Sequence, residues 1–323
     1  MTDIQFGILL WSQGGTWPEM LDAAKRVDRL GYAHLWTWDH LYAIFGDPYQ
    51  PIFEGWSLLS AWARETERTR LGLLVGANTF RNPGLVAKTA TTLDHVSDGR
   101  AILGLGGAWM ELEHQAHGID FGSGFGQRLD WMDESVGAIR RVLDGGSVTS
   151  GAGGRYHFDD LRQQPLPLQP HLPIMIGGSG EKKTLRSVAK YADMWNAMGE
   201  VEVMRHKIDV LRRHCDDVGR DPAEIEFTLG IKATIRDSAD EADRVWRAAL
   251  EHNRTPLSEV EDDDTFWNGT SEQLAEKLAP YVALGFRTVI SEQPAPYDAE
   301  TFERLIGEVG PMAASLAGVA GAR

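Results

Sequence analysis

Short apolar runs alternate along this chain with segments that read as helices. "IQFGILLW" (Ile4–Trp11) favours a strand, and the following "EMLDAAKRVDRLG" reads as a helix, opened by Thr16-Trp-Pro-Glu19 as a capping box and closed by Gly31. The alternation continues with "AHLWTW" and "GWSLLSAWARET", then with Arg70–Thr79 and a helix started by Asn82-Pro83, then with Ala101–Gly107 and a helix near Arg128–Leu143. In the second half "PIMIGG", "DMWNAM", "IEFTLGIKATI" and "RTVIS" each precede a helical segment. A further capping box, Thr270-Ser-Glu-Gln273, opens a helix that Pro280 should kink. Several strand runs are apolar throughout, as expected of parallel strands covered on both faces.

Eight such units in 323 residues predict an α/β fold, a (β/α)₈ TIM barrel forming one domain over residues 1–323. A doubly wound sheet is the alternative. Insertions fall after strand 4, at residues 109–126, and before strand 5, at residues 145–170.

Composition narrows the function. The chain is 42% hydrophobic and 24% charged, with no run long and apolar enough to span a membrane and no signal peptide, so a cytoplasmic globular protein is expected. Its formal charge of −15 disfavours nucleic acid and anionic membranes as partners. The acidic stretch Glu259–Phe266 reads as a solvated loop, and Cys215, the single cysteine, excludes an internal disulfide.

In a barrel the chemistry sits where strands end. That rule selects Trp11-Ser12-Gln13, Trp38-Asp39-His40, Asn78-Thr79, the segment Gly106 to Glu113, Gly177-Gly178-Ser179-Gly180 and Trp195-Asn196. Strand 1 lacks the paired histidines of barrel metallohydrolases, and His114 and His117, three apart on a charged helix, read as solvated; no metal is expected. "GLGGAW" lacks the final glycine of a dinucleotide fingerprint. "IGGSGEKK" either grips a phosphate with the amides of Gly178 to Glu181 or is simply a tight strand–helix turn.

Taken together, "GYAHLWTWDH", the long segment from Arg70 to Ile119, "QRLDWMDESVGAIRRVL", "LPIMIGGSGEKKTLRSVAKYADMWN" and "NGTSEQLAEKLAPYVALGF" resemble the bacterial luciferase-like family, within it the oxidoreductases dependent on the deazaflavin coenzyme F420. The resemblance covers nearly the whole chain. It implies F420 as cofactor, a small-molecule substrate and a homodimer. It places Asp39 at the polar edge of the deazaflavin and makes His40 the acid/base. A bulge with a non-proline cis peptide around Val75-Gly76 is expected to back the ring, followed by Asn78 at the strand end. Gly106, Gly107, Ala108 and Trp109 would line the cofactor, and Gly177, Gly178, Ser179 and Gly180 would grip its phosphate. Glu113 matches the family's acidic residue after the Gly-Trp motif, and Glu111 is a candidate second acid. Trp11, Phe45, Trp56, Trp195 and Trp267 are the candidate substrate walls. The expected reaction is hydride transfer between F420 and a small alcohol, carbonyl or activated double bond. The alternative is a monooxygenase using reduced FMN from a separate reductase and O₂. Asp39-His40-Leu41 stands where flavin monooxygenases often have Glu-His-His, which favours the deazaflavin reading.

Overall fold

The computed structural model describes residues 4–151 and 153–320, with side-chain detail through residue 317. Eight parallel strands among these residues close on themselves: β1 (Gln5–Leu10), β2 (His34–Thr37), β3 (Arg70–Leu73), β4 (Ala101–Gly106), β5 (Ile174–Gly177), β6 (Met194–Ala197), β7 (Glu226–Ile235) and β8 (Phe286–Gln293). Each strand pairs with the next, and β8 pairs with both β7 and β1, which makes the sheet a barrel rather than a doubly wound sheet.

Both faces of the strands are buried. Outward residues such as Ile8, Leu35, Leu71 and Ile174 join the core under the helices, while Leu9, Trp36, Ile102, Met175 and Ile290 fill the interior. The interior alternates large and small. Trp36 is accommodated because β1 and β3 carry glycine beside it: a Cβ on Gly72 would stand 2.5 Å from the indole ring, and one on Gly7 would stand 3.1 Å from its Nε1.

Helices α1 (Trp17–Leu30), α2 (Gly55–Glu65) and α3 (Pro83–Val96) start as expected: the Glu19 carboxylate accepts from the Thr16 N–H, and the Asn82 side chain accepts from the Gly84 N–H. Gly31 closes α1 at φ 85°. The helix after Thr270, Ser271–Leu284, continues through Pro280.

Other expectations change. The third strand does not run unbroken to Thr79; it stops at Leu73 and resumes at Gly76–Ala77, with the cis peptide at Leu74–Val75, one residue earlier than expected. The insertion after β4 holds a short helix, α4 (Glu111–His117), ahead of α5 (Phe125–Leu143). The helix after the Gly177–Gly180 turn, α6 (Thr184–Tyr191), begins three residues later than the sequence suggests.

The acidic stretch is not simply solvated. Asp263 pairs with Lys232, Glu259 accepts from the Gly46 N–H, and Phe266–Gly269 forms an unforeseen side strand on the end of β7. It follows α8 (Ala239–His252), which packs across the barrel mouth: Trp246, Leu250 and Val260 form a small cluster that also takes in Phe45 and Phe266. Among the described residues no helix is long and apolar enough to cross a membrane.

Candidate active site

A cavity of about 410 Å³ opens at the C-terminal ends of the strands, the end where barrels carry their chemistry. Its floor is built by the break in the third strand. The Val75 side chain seats on the glycines of β4 and β5: a Cβ on Gly106 would come within 2.5 Å of Val75 Cγ2, and one on Gly177 within 2.9 Å of Cγ1. Gly104 admits the backbone beside the break, since its Cβ would lie 1.9 Å from the Leu73 carbonyl oxygen. The spacing of "GLGG" therefore has a steric cause.

Asp39 follows β2 and is almost fully buried. Its Oδ2 accepts from Arg81 Nη1 at 2.7 Å and from the Ala77 N–H at 2.9 Å; Arg81 also reaches Glu54 at 2.9 Å. Asp39 Oδ1 is buried with no partner. Burial pushes the carboxyl above the ordinary carboxylate range, against the pull of Arg81 and the Ala77 amide.

His40 lies on the cavity wall, its ring edge-on to Trp109 at 5.4 Å. Its Nδ1 is 3.1 Å and 3.2 Å from the two carboxyl oxygens of Glu113, which comes from α4 and is 1% exposed. Glu113 Oε2 also accepts from the Leu41 N–H at 2.9 Å. A carboxylate that accepts from both partners assigns the neutral-ring proton to Nδ1 and leaves Nε2 as the nitrogen available to the cavity. The strand end supplies His40, and the short helix of the insertion supplies the group that orients it.

The opposite wall carries Lys232 from β7 and Glu292 from β8. Lys232 Nζ donates to Asp263 at 3.1 Å and to Thr265 Oγ1 at 2.6 Å. Glu292 is buried, and burial raises its carboxyl pKa, with Lys232 opposing. Sequence reasoning missed both residues. Lys232 was the single cation in its predicted strand, and Glu292 lies one residue past the predicted end of its strand; applying the strand-end rule to the last two strands selects them.

Of the residues singled out from sequence, the cavity brings together Asp39, His40, Phe45, Val75, Gly76, Gly106, Gly107, Ala108, Trp109, Gly177 and Gly178. Ala108 adopts φ 56° at the turn into the insertion, and Gly178 adopts φ 113°. Asn78 is buried next to this floor with both side-chain amide atoms unpartnered, and Ser179 and Gly180 continue the rim turn outside the cavity lining.

The other calls fall elsewhere. Glu111 is exposed on α4, where it accepts from Gln115. Trp11 lies beneath the cavity, stacked on Phe45 at 4.5 Å. Trp56, Trp195 and Trp267 belong to the core outside the barrel. Trp195 nevertheless serves the rim, because its Nε1 donates to the Gly178 carbonyl at 2.8 Å.

His114 is fully buried rather than solvated: Thr79 Oγ1 lies 2.6 Å from its Nε2 and the Met110 carbonyl 2.8 Å from its Nδ1. Among the described residues no group of three or more His, Cys, Asp or Glu side chains is placed to hold a metal ion.

The parallel (β/α)₈ barrel agrees with comparison to known proteins. Residues 4–288 match the luciferase-like monooxygenase family, and the chain belongs to it. An F420-dependent glucose-6-phosphate dehydrogenase of Microbacterium testaceum is 26% identical over 314 residues, covering 90% of this chain and 91% of that protein. Matches at 31% identity to uncharacterised mycobacterial proteins, Mycobacterium tuberculosis among their sources, cover 46% of this chain; the chain there spans about half the length of the curated relatives it matches. An F420-dependent secondary alcohol dehydrogenase solved with an F420–acetone adduct superimposes with a TM-score of 0.81 at 19% identity, covering 96% of this chain and 99% of that one. A monooxygenase from Streptomyces bottropensis does so with a TM-score of 0.78 at 20% identity, covering 97% and 99%. At these identities the two structures speak for the fold.

Proposed function

We propose that this protein is an F420-dependent oxidoreductase acting on a small neutral alcohol, carbonyl or activated double bond. The observation that carries the reading is the unpartnered, buried Oδ1 of Asp39 above a floor of Val75 and glycines, beside a histidine oriented by Glu113. A flat ring with a polar edge fits there. The floor is apolar, the glycines leave its face clear, and Asp39 offers a hydrogen-bonding site without a protein partner.

Asp39, Val75, Gly76 and the segment Gly106 to Trp109 would hold the ring, Asn78 would add its free amide, and Gly177 to Gly180 would take the anionic tail with backbone amides. The chain's net charge of −15 makes such local donors necessary. When bound, F420 supplies or accepts a hydride.

The protein's own task is then to hold the substrate against the ring and to manage one proton. His40 gives or takes that proton at Nε2. Glu113 keeps the ring in one orientation and offsets the positive charge when both nitrogens carry protons. Exposed Leu85, Leu166 and Leu168, on α3 and the insertion before β5, support pairing of two copies of the chain.

Titration of the purified protein with F420 and, separately, with FMN tests the reading. Saturable F420 binding with much weaker FMN binding is expected. FMN binding without F420 binding overturns it in favour of a flavin monooxygenase. The His40→Ala protein should keep F420 binding and lose hydride transfer by roughly 10²–10⁴-fold.

A further inference from the structure

A second cavity, of about 390 Å³, lies against the first at the barrel mouth. It is roofed by α8 and the side strand and shares two wall residues with the first, Lys232 and Glu292. Its size falls in the range of about 300–1,000 Å³ typical of small-molecule sites. Val245, Trp246, Ala249, Phe266, Pro294 and Pro296 give it a mainly apolar lining.

The charges around it are already matched. Arg236 holds Asp298 at 2.9 Å and 3.0 Å and Glu300 at 3.2 Å, and Lys232 is taken up by Asp263 and Thr265. An anionic ligand would find no spare cation among these residues. Glu292 differs: it is 7% exposed, and its one hydrogen-bonding neighbour is the indole Nε1 of Trp11, which has no other partner. A buried carboxyl met by a single indole between a glycine-floored cavity and an apolar one keeps hydrogen-bonding capacity that a ligand can satisfy.

We infer that the second cavity is the substrate's chamber, that it takes a neutral compound with an extended apolar body and one oxygen function, and that Glu292 hydrogen-bonds this oxygen at the threshold of the cofactor cavity. The inference rests on the oxidoreductase reading for its word substrate, while the binding it describes needs no cofactor. Lys232 is held back by its own partners, so Glu292 is the group free to meet a neutral oxygen. The apolar body lies under Trp246 and Phe266.

Calorimetric titration of the cofactor-free protein with a series from acetone to 2-decanone tests this. Affinity should rise roughly three- to fourfold per added methylene until the chamber is filled. Ala249→Trp and, as a smaller filler on the same helix, Val245→Phe should abolish that rise and leave acetone binding unchanged; circular dichroism and thermal melting identify any variant that does not fold. At a pH acid enough for the Glu292 carboxyl to carry a proton and donate it to the ketone oxygen, Glu292→Leu should weaken every ketone about tenfold, and Glu292→Gln, which donates at any pH, should restore binding. Affinity independent of chain length, or a rise that survives in both filled variants, overturns the inference. F420 titration of the same proteins separates the two readings. Ketone binding that follows chain length without F420 binding overturns the cofactor assignment and supports the chamber; F420 binding with flat ketone affinities overturns the chamber alone.

Discussion

The two sides of the barrel mouth handle polarity in opposite ways. On the β2–β4 side, Asp39, His40 and Glu113 are each tied to a neighbour from another element, Asp39 Oδ2 to Arg81 and the Ala77 amide, His40 to Glu113 and Glu113 to the Leu41 amide, with only Asp39 Oδ1 left open. On the β7–β8 side, Lys232 is turned to Asp263 and Thr265, and Glu292 stands buried with only the Trp11 indole beside it to bond. The first side is preorganised before anything binds. The second keeps one group in reserve, next to apolar surface. A rigid cofactor suits the first arrangement and an exchangeable substrate the second.

This contrast can be broken experimentally. The largest effect is expected from Asp39→Ala, which leaves the largely buried Arg81 with Glu54 as its one remaining carboxylate. Unfolding in urea should show a loss of about 3 kcal/mol. A loss near zero would mean the tied side is not preorganised. Next is Gly106→Ala, whose new Cβ meets Val75; a loss of about 1–3 kcal/mol is expected, with weaker F420 binding. The Gly106→Ala/Val75→Ala double variant should recover much of it, so the two changes will not add. Glu113→Gln should lower kcat roughly tenfold or more while leaving F420 affinity nearly unchanged, because it frees the orientation of His40 without touching the floor.

The smallest effects lie in pH dependence, where the carboxyls differ in sign. Asp28, away from the mouth, is pushed up by burial, but hydrogen bonds from Thr69, Arg68 and Glu67 outweigh this and hold it at about 2. Its contribution is present above its ordinary value of 3.8 and lost as pH falls toward 2. Asp28→Asn should flatten stability across that acid window. Glu292 is raised, so its contribution is full below 4.5 and lost as pH rises through its folded value. Glu292→Gln should therefore narrow the stability difference between acid and neutral pH in the opposite sense. Melting temperatures from about pH 2 to 7 check both.

Legibility followed the same division. The strand–helix alternation was readable because both faces of each strand are buried, which leaves apolar runs bounded by polar helix starts. Asp39 and His40 were readable because they end such a run abruptly. The aromatic walls were not, since strand parity decides which side chain faces inward. Met194 and Asn196 point into the barrel, so Trp195 between them must face the helices. Trp56 sits on a helix and Trp267 on a side strand that no local pattern announced. Lys232 and Glu292 were hidden because their meaning depends on closure: they become neighbours only when β7 pairs with β8.

Phe45 stacks on Trp11 beneath the first cavity and also packs into the cluster of Trp246, Leu250 and Val260 beside the second one. The loop after β2 and the helix over the mouth thus share a single hinge pin. Because Phe45 packs against both clusters, displacing either one would strip apolar cover from the other. One aromatic ring thus serves as common masonry for two rooms.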